Sequence, residues 1–383
     1  MSAPDPTFMK TALTLGRRGW GRVWPNPAVG CVLVRDGWRV VGRGWTQPGG
    51  SPHAEIEALR QAGNLASGAT AYVTLEPCSH QGRTPPCTEA LIEARVARAV
   101  VALLDPDPRV NGQGLARLRD SGTEVLLGMG MAEARADHAG FLMRVAEGRP
   151  LVTLKLATTI DGYISTYTKK SRWITGHIAR IHAHRLRAEH DAVMVGIETA
   201  LADDPDLTCR LPGLTHRSPV RIVVDSHLRL PCQAKVLAGT VPTWVICSAT
   251  AQGRPENAQA VETLSACGAE IIPIIVGKTG RPHPKALLKA LGARGITRLL
   301  VEGGARLASS LLQYELVDRL IWFQAPKLLG SDSVAAVAPL GLTQLSSCPR
   351  FTRVRTMAVG EDLMTLYERA VTPSLQQSPP PTK

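Results

Sequence analysis

Three residues far apart in the N-terminal half carry side chains that a catalytic zinc ion binds. His53 stands two positions before Glu55 at the predicted start of a helix. Cys78 follows a predicted strand, and Cys87 opens another predicted helix. One imidazole and two thiolates leave the fourth position of a tetrahedral zinc ion free for water, which the metal activates near neutral pH. Glu55 can lie beside such an ion without binding it and can carry a proton from water to a leaving amine.

Two other interpretations of these residues stay open at this point. A single His-x-Glu arises by chance in many chains, and the two cysteines could be buried apolar side chains. A structural zinc site would need a fourth protein ligand, which His80 could supply. His-x-Glu followed later by Pro-Cys is, however, the pattern of zinc-dependent deaminases of nucleobases, and Pro77 precedes Cys78 here. We therefore favour a catalytic site that holds one zinc ion.

A pair of glycines marks a second candidate site in the C-terminal half. Residues 301–307, with the sequence Val-Glu-Gly-Gly-Ala-Arg-Leu, end a predicted strand and open a predicted helix. Backbone amides at such a helix start can bind a pyrophosphate, although an ordinary strand-to-helix turn can have the same sequence. No Gly-x-Gly-x-x-Gly follows a strand in this half, so the Rossmann fingerprint is absent. Arg187 and Arg210 could hold a phosphate with forked hydrogen bonds, or they could be solvated surface residues.

Alternating strands and helices must position both sites. In the first half we predict strands over 28–34, 39–44, 69–75, 99–104 and 124–127, and helices over 5–19, 51–59, 115–120 and 131–146 with one more from residue 87. In the second half we predict strands over 151–156, 192–195, 220–224, 243–246, 270–275, 298–301 and 319–323, and helices near 176–188, 255–266, 283–291 and 305–313. This alternation indicates the α/β fold class, with a three-layer sandwich in the first half.

Length and composition indicate two packed domains. The chain has 383 residues, of which 44% are hydrophobic and 20% are charged. Gly-Arg-Pro at 148–150 marks a boundary, so we predict domains over 1–149 and 150–370 and a disordered Pro/Ser/Gln-rich tail over 371–383. The eight cysteines are too sparse for a secreted disulfide scaffold and fit a reducing cytoplasm. The first ten residues have no signal core, and no stretch reaches the roughly 18 apolar residues of a membrane span.

Residues 74–87 make a resemblance to a known family specific. The segment reads Thr-Leu-Glu-Pro-Cys-Ser-His-Gln-Gly-Arg-Thr-Pro-Pro-Cys and resembles the bifunctional riboflavin biosynthesis deaminase/reductase family. Eight residues separate its two cysteines, whereas ordinary cytidine deaminases and deaminases of transfer RNA have a much shorter spacing. Residues 25–32 match the family as well, and so do 154–162, 171–175, 186–188, 195–199 and 201–210. The resemblance covers about residues 5–370 and implies a cytidine-deaminase-like first domain and a dihydrofolate-reductase-like α/β second domain.

The resemblance also implies roles for individual residues. Asn26 would contact the pyrimidine, although an Asn before Pro can simply form a turn. NADPH would contact Ala157, Trp173, Thr199, Asp203, Ser226 and the turn formed by Gly304, Ala305, Arg306, Leu307, Ala308, Ser309 and Ser310. The substrate would contact Ser171, Arg187, Leu207, Arg210 and Glu302. Two places depart from the family pattern: Thr46 stands where a His is usual, and residues 165–170 (Ser-Thr-Tyr-Thr-Lys-Lys) are more basic than the usual Gly/Glu loop.

The resemblance implies two consecutive reactions on one small phosphorylated pyrimidine. The first domain would hydrolytically remove the 2-amino group of 2,5-diamino-6-(5-phosphoribosylamino)pyrimidin-4(3H)-one. The second would use NADPH to reduce the ribosyl side chain of that product to a ribityl chain, which gives 5-amino-6-(5-phosphoribitylamino)uracil. The expected partner is therefore this small molecule, with no nucleic acid and no membrane. Whether the chain forms a homo-oligomer, and whether NADH can replace NADPH, stay open.

Two rival functions also stay open from the sequence. The formal charge is 44 − 32 = +12, which a nucleic-acid deaminase with an accessory binding domain would also show. The scattered basic residues, the long loop between the cysteines and the reductase-like half argue against that rival. The second rival is a chain whose reductase half is inactive, so that it only deaminates. The unusual segment at 165–170 keeps this second rival open.

Overall fold

The computed structural model describes residues 3–79, 85–108, 110–168, 170–277 and 280–370. The tail expected over 371–383 lies outside these ranges. The backbone divides into two compact units. The first contains Met1–Leu151, Ala188–Asp191 and Leu288–Arg298, and the second contains Val152–Arg187, Ala192–Leu287 and Leu299–Lys383. Neither unit is therefore a single continuous segment, because short pieces of the second half of the sequence belong to the first unit.

The first unit is built on a five-stranded sheet with the order β2-β1-β3-β4-β5. Its strands are β1 Gly30–Arg35, β2 Arg39–Trp45, β3 Thr70–Val73, β4 Arg98–Val101 and β5 Glu124–Leu127, and its helices are α1 Pro6–Gly16, α2 Ala54–Ala62, α3 Cys87–Glu93, α4 Gln113–Asp120, α5 Met131–Asp137 and α6 Ala139–Glu147. β1 is antiparallel to β2 and β3, whereas β3, β4 and β5 run parallel. β1 is buried along almost its whole length, which explains its unbroken apolar run.

The helix expected over 131–146 is in fact two helices that meet at His138. This residue has φ −87° and ψ 2° and ends α5. Its imidazole is 2% exposed, and Nε2 lies 3.1 Å from Thr74 Oγ1 just beyond β3. The break accompanies this contact between His138 and Thr74, which are distant in the sequence. The local hydrophobic pattern therefore could not predict it.

The second half of the chain forms a nine-stranded sheet with the order β11-β10-β9-β8-β12-β6-β13-β16-β15, and β14 pairs with β7 separately. The strands are β6 Leu151–Thr159, β7 Tyr163–Ser165, β8 Ala192–Gly196, β9 Val220–Val224, β10 Thr243–Ser248, β11 Ala269–Ile274, β12 Arg298–Glu302, β13 Arg319–Ala325, β14 Val334–Ala335, β15 Phe351–Val359 and β16 Asp362–Arg369. The helices are α7 His177–Ala188, α8 Ile197–Asp203, α9 Ala249–Gln252, α10 Ala258–Ala266, α11 Pro284–Ala293 and α12 Ala305–Gln313. The α/β class expected for both halves is confirmed.

The C-terminal hairpin is an element that the sequence pattern did not predict. β15 pairs with β16, which in turn pairs with β13. Val359 alone is buried among the nine residues of β15, and the strand carries Arg353 and Arg355. An edge strand held by backbone pairing has no apolar alternation to detect. In a separate observation, no helix within the described ranges is both long enough and apolar enough to cross a membrane.

Candidate functional sites

The starts of two helices and the loop after one strand bring the three expected zinc ligands together. His53 is the N-cap residue of α2 but makes no capping hydrogen bond with its side chain. Cys87 is the first residue of α3, and Cys78 lies in the loop that follows β3. The ligand atoms of these three residues all lie within 4.8 Å of one another. His80, the alternative fourth ligand, lies outside the described residues.

The separations between these ligand atoms suit a zinc ion. His53 Nδ1 lies 3.3 Å from Cys87 Sγ and 3.6 Å from Cys78 Sγ. Nitrogen and sulfur ligands at their usual distances from a tetrahedral zinc ion would be about 3.6 Å apart. The backbone N–H of Cys87 also donates to Cys78 Sγ at 3.4 Å, which favours a thiolate at residue 78. The donor set and its spacing therefore fit zinc with three protein ligands.

Hydrogen bonding and burial set the protonation of the same group of residues. Hydrogen bonds from Cys87 and His53 outweigh burial and lower the pKa of Cys78 to about 4. The bond to Cys78 raises the pKa of the Cys87 thiol. Burial raises the pKa of Glu55 to about 7, and the negative charge on Cys78 adds to the effect. Glu55 is only 3% exposed, so a buried carboxyl group with a raised pKa adjoins the ligands.

Asn26 lies against the loop that leads to His53. Its side-chain Nδ2 donates to the carbonyl oxygen of Gly50 at 3.1 Å. Gly50 has φ +86°, and a Cβ atom there would lie 1.8 Å from Asn26 Nδ2. Only glycine permits this approach. The structure therefore brings Asn26 to the segment that immediately precedes the first expected ligand.

Thr46, which departs from the family pattern, has a structural role in this chain. Its side chain is buried, and Oγ1 accepts from the backbone N–H of Val29 at 3.0 Å. The same hydroxyl donates to the carbonyl oxygen of Pro27 at 3.0 Å. Thr46 thus fixes the backbone directly after Asn26. Its hydroxyl is already used within the fold, so a threonine here cannot replace the contact that a longer imidazole would make.

Gly303 and Gly304 form the expected turn between β12 and α12. Both have positive φ, +82° and +86°. A Cβ atom at Gly304 would lie 3.2 Å from Thr199 Oγ1, and one at Gly303 would lie 3.5 Å from Thr199 Cγ2. The turn therefore packs against α8 and brings Thr199 to the glycine pair. Because neither residue has a side chain, a bound phosphate can approach this backbone closely.

The expected cofactor residues of α12 differ in how accessible their side chains are. Ala308 is buried, and Ser309 donates its hydroxyl to the carbonyl oxygen of Ala338 at 2.8 Å. The side chains of Ala308 and Ser309 are therefore occupied within the fold. The other expected residues of this helix are half-buried or exposed, namely Ala305, Arg306, Leu307 and Ser310. The side chains of these four residues are therefore more accessible than those of Ala308 and Ser309.

A second group of expected residues connects the end of α8 to the segment before α7. Ser171 Oγ donates to Asp203 Oδ1 at 3.0 Å, and the guanidinium group of Arg172 donates to the carbonyl oxygen of Asp203. The indole of Trp173 is 62% exposed, and the guanidinium carbon of Arg180 lies 4.6 Å from its ring centroid. An exposed indole next to a cation offers a flat surface on which a planar ring can stack.

The basic segment at 165–170 closes a turn. The backbone N–H of Thr166 donates to the carbonyl oxygen of Lys170 at 3.2 Å, and the backbone N–H of Lys170 donates to Thr166 Oγ1 at 3.2 Å. Residue 169 lies outside the described residues. The unusual sequence thus leads directly into Ser171, whose bond to Asp203 is formed.

Three other expected contact residues lie outside the glycine turn, α8 and α12. Ala157 lies on β6, and Ser226 follows β9, where its carbonyl oxygen accepts from Ser248 Oγ at 3.1 Å. Leu207 has φ +59° and a side chain in the core, 2% exposed. Only its backbone is therefore available to a substrate.

The guanidinium group of Arg187, which was expected to hold a phosphate, forms a buried ion pair. Arg187 Nε and Nη2 donate to the two carboxylate oxygens of Glu302 at 2.6 and 3.0 Å, and Nη1 donates to the carbonyl oxygen of Thr208 at 2.9 Å. Both charged side chains are about one-tenth exposed. Arg210, by contrast, is 54% exposed, and its Nη1 lies 3.4 Å from Asp206 Oδ2. Of the two arginines, Arg210 has the more accessible fork.

Two charged or titratable residues that the sequence did not single out belong to this cluster. Burial lowers the pKa of Lys155 on β6, while the nearby Glu302 carboxylate opposes the shift. His184 Nδ1 accepts from the backbone N–H of Arg210 at 3.3 Å. Burial and the charges of Arg187 and Arg210 lower the pKa of His184 to about 4, so its imidazole is neutral at pH 7. A lysine inside an apolar strand, and a histidine one helical turn before Arg187, were the signals that could have found them.

Comparisons with known proteins point to one family for both halves. The cytidine and deoxycytidylate deaminase zinc-binding region matches residues 2–103, and the RibD C-terminal domain matches residues 150–365. Proteins described as riboflavin biosynthesis protein RibD from Aquifex aeolicus and from Escherichia coli K12 are each 42% identical to this chain. The alignments extend over 366 and 370 residues, 95% and 94% of this chain, and over 98% of each relative.

Solved structures agree with the sequence matches. A RibD from Acinetobacter baumannii superposes with a TM-score of 0.84 at 37% identity and covers 96% of this chain and 99% of its own. A protein from Thermotoga maritima superposes with a TM-score of 0.82 at 32% identity and covers 95% of this chain and 98% of its own. The latter is described as a diaminohydroxyphosphoribosylaminopyrimidine deaminase/5-amino-6-(5-phosphoribosylamino)uracil reductase. The chain therefore belongs to the RibD family of bifunctional deaminase/reductase enzymes of riboflavin biosynthesis.

Proposed function

We propose that this chain catalyses two consecutive steps on one phosphorylated pyrimidine. In the first step, an oxygen atom from water replaces the 2-amino group of 2,5-diamino-6-(5-phosphoribosylamino)pyrimidin-4(3H)-one, and ammonia leaves. In the second step, NADPH reduces the ribosyl side chain of that product, which gives 5-amino-6-(5-phosphoribitylamino)uracil. We assign the first step to residues 1–149 and the second to residues 150–370. The description of the Thermotoga maritima relative, which names both activities, supports this assignment.

The convergence of one imidazole and two sulfur atoms beside a buried carboxyl group carries the proposal. His53, Cys78 and Cys87 would hold one zinc ion, which when bound supplies an activated water as the nucleophile. Glu55 lies next to the ligands and is excluded from bulk solvent. It would take a proton from the water and deliver it to the departing nitrogen. Asn26 would hold the pyrimidine against this group of residues.

The reductase half would place NADPH along the glycine turn and the start of α12. Thr199 adjoins the turn, Asp203 adjoins Ser171, and Trp173 offers an exposed indole. NADPH supplies the hydride, so the task of the protein is to hold cofactor and substrate in register. Accordingly, the remaining cofactor and substrate residues implied by the resemblance are proposed here as contacts and not as proton carriers.

The charges near Glu302 suggest how this half would bind an anionic substrate. Arg187 neutralises the Glu302 carboxylate, and Lys155 lies close enough to influence it. Arg210 would then provide the accessible fork for the phosphate group. We further propose a cytoplasmic location, since all eight cysteines are free thiols and two of them must stay reduced to bind zinc.

One experiment tests both steps. The purified chain is analysed for bound metal and then assayed on the diaminopyrimidine substrate, with and without NADPH. We expect about one zinc ion per chain, ammonia release without NADPH, and NADPH oxidation only once the deaminated product has formed. Ammonia release without any NADPH oxidation would support the rival in which the reductase half is inactive. Deamination of single-stranded oligonucleotides, without activity on the small pyrimidine, would support the nucleic-acid rival.

A further inference from the structure

The carboxylate of Glu76 connects the loop that carries Cys78 to the start of α4. Glu76 is 4% exposed and follows β3. Its Oε1 accepts from the backbone N–H groups of Gly114 at 2.9 Å and Leu115 at 3.2 Å. Its Oε2 accepts from the backbone N–H groups of Gly112 at 2.9 Å and Asp105 at 3.3 Å. One side chain thus satisfies four backbone donors from a segment more than 25 positions farther along the chain.

Backbone hydrogen bonds and the packing of α4 also hold the loop from Glu76 to Cys78. The N–H of Glu76 donates to the carbonyl oxygen of Leu103 at 2.8 Å. A Cβ atom at Gly114 would lie 2.2 Å from the carbonyl oxygen of Pro77, so α4 packs directly onto this turn. The carbonyl oxygen of Cys78 accepts from the N–H and the hydroxyl of Thr88 on α3, both at 3.2 Å. The loop between β3 and Cys78 therefore has little freedom as long as the Glu76 bonds are made.

We propose that Glu76 is a positioning residue for metal binding, which places Cys78 Sγ by fixing this turn to α4. The inference rests on the proposed zinc site and concerns the chain's own geometry around it. Groups that orient metal ligands from outside the coordination sphere commonly contribute 10- to 100-fold to metal affinity. We expect an effect of about this size from Glu76. Among the described residues, the hydrogen-bond partners of the Glu76 carboxylate are all backbone N–H groups, so Glu76 would act through the position of Cys78 and not as a ligand.

The chemistry of the site requires a carboxylate and not only a side chain of this size. Both oxygen atoms of Glu76 accept two hydrogen bonds each. Glutamine has one acceptor oxygen, and its amide N–H₂ would face two backbone donors. Buried donors left without a partner are costly, so the turn would shift to relieve them. Aspartate keeps both acceptor oxygens but is one methylene shorter, so its carboxylate would reach only some of the four backbone N–H groups.

The test compares three variants of the full-length chain. Zn²⁺ affinity is measured by competition with a chromophoric chelator, and Co²⁺ is used as a spectroscopic probe of thiolate ligation. We expect Glu76→Gln to raise the zinc dissociation constant about 10- to 100-fold and to weaken the cobalt–thiolate absorption. Glu76→Asp should change both in the same direction but by less. NADPH binding by each variant reports whether the rest of the chain is folded.

Glu89→Gln is the matched control on the neighbouring helix. Glu89 on α3 accepts from Arg117 on α4 at 2.7 and 3.1 Å, and both side chains of this pair are exposed. We expect the zinc affinity of this variant to stay at the wild-type value.

Wild-type zinc affinity and cobalt spectra in Glu76→Gln would overturn the positioning role, and so would an equal loss in Glu89→Gln. If Glu76→Gln does not fold, Glu76→Asp decides: weaker zinc binding supports the role, and unchanged binding overturns it. A wild-type chain that binds no zinc would instead overturn the proposed deaminase site, and this inference with it.

Discussion

Glu55 is distinguished from its neighbours by being buried next to the ligand atoms without belonging to the group of three. Replacing it by glutamine keeps the shape and removes the group that carries the proton. We expect Glu55→Gln to lower kcat for deamination about 10²- to 10⁴-fold while the zinc content is unchanged. Ammonia release and metal analysis measure the two effects. NADPH oxidation on the deaminated substrate is the control, and full deaminase activity in the variant would exclude Glu55 from this role.

Arg187 and Arg210 have different surroundings, so their removal should have different consequences. Burial opposes ionisation of Glu302, but the ion pair with Arg187 and the nearby Lys155 lower the pKa of Glu302 to about 2. Arg187→Ala would leave this carboxylate buried without its partner, which should lower the free energy of unfolding by about 3–5 kcal/mol. Arg210→Ala removes an exposed side chain and should change stability by less than about 0.5 kcal/mol.

The same pair of variants separates folding from substrate binding. We expect Arg210→Ala to raise KM for the phosphorylated substrate of the reductase step about tenfold or more, because a charge-assisted bond to phosphate is lost. Thermal unfolding and steady-state kinetics of both variants check these expectations. An equal loss of stability in the two variants would contradict the assignment of Arg187 to the buried pair and Arg210 to the phosphate.

At the level of elements, the junction of α5 and α6 should make the first unit sensitive to acid. Burial lowers the pKa of His138 from 6.5 to about 4, so the unfolded chain binds more protons between these pH values. The free energy of unfolding should therefore fall as the pH falls through this window, by at most about 1.4 kcal/mol per pH unit from this group. His138→Gln has no such group, so its stability difference from wild type should shrink with falling pH. A stability difference that stays constant from pH 7 to pH 4 would contradict the lowered pKa of His138.

The packing of α1 on β1 depends on the absence of a side chain at Gly30. A Cβ atom at that position would lie 1.8 Å from the carbonyl oxygen of Ala12. Gly30→Ala should therefore force the helix and strand apart and lower the free energy of unfolding by about 1–3 kcal/mol. Gly253→Ala is the control, because its nearest neighbour is the carbonyl oxygen of Ala249 at 3.7 Å and its φ is −78°. Chemical denaturation of both variants measures the difference, and equal stability of the two would be evidence against this packing.

At the level of the whole molecule, the two proposed reactions need different cofactors, zinc for the first and NADPH for the second. Removing zinc with a chelator should abolish ammonia release from the diaminopyrimidine, because the nucleophile depends on the metal. NADPH oxidation on the separately supplied deaminated substrate should continue, because the second step needs positioning and hydride transfer only. Adding Zn²⁺ back should restore the first reaction. Loss of both reactions on chelation would show that the two halves do not function independently of the metal.

Most of the strands and helices around both sites followed from the sequence, but α8, which carries Thr199 and Asp203, was not among the predicted helices. The apolar runs of β1, β9 and β12 and the helix starts at His53 and Cys87 are local properties, set by residue type and spacing. A zinc site was expected at three residues because zinc prefers these ligand types, and the structure brings those residues together. Local pattern was enough to predict that these three residues meet, since His53 and Cys87 lie at helix starts and Cys78 lies in the loop after a strand.

What only the tertiary structure decided depends on contacts between distant segments. The helix break at His138 and the pairing of Arg187 with Glu302 arise from partners 64 and 115 positions away in the chain. The exposed strand β15 is held in the sheet through β16, whose partners on β13 are at least 39 positions away. The structural role of Thr46 and the four donors to Glu76 are of the same kind. Residue type shows that a side chain can bond. Which partner it finds, and whether that partner leaves it free for a ligand, is determined by the folded packing.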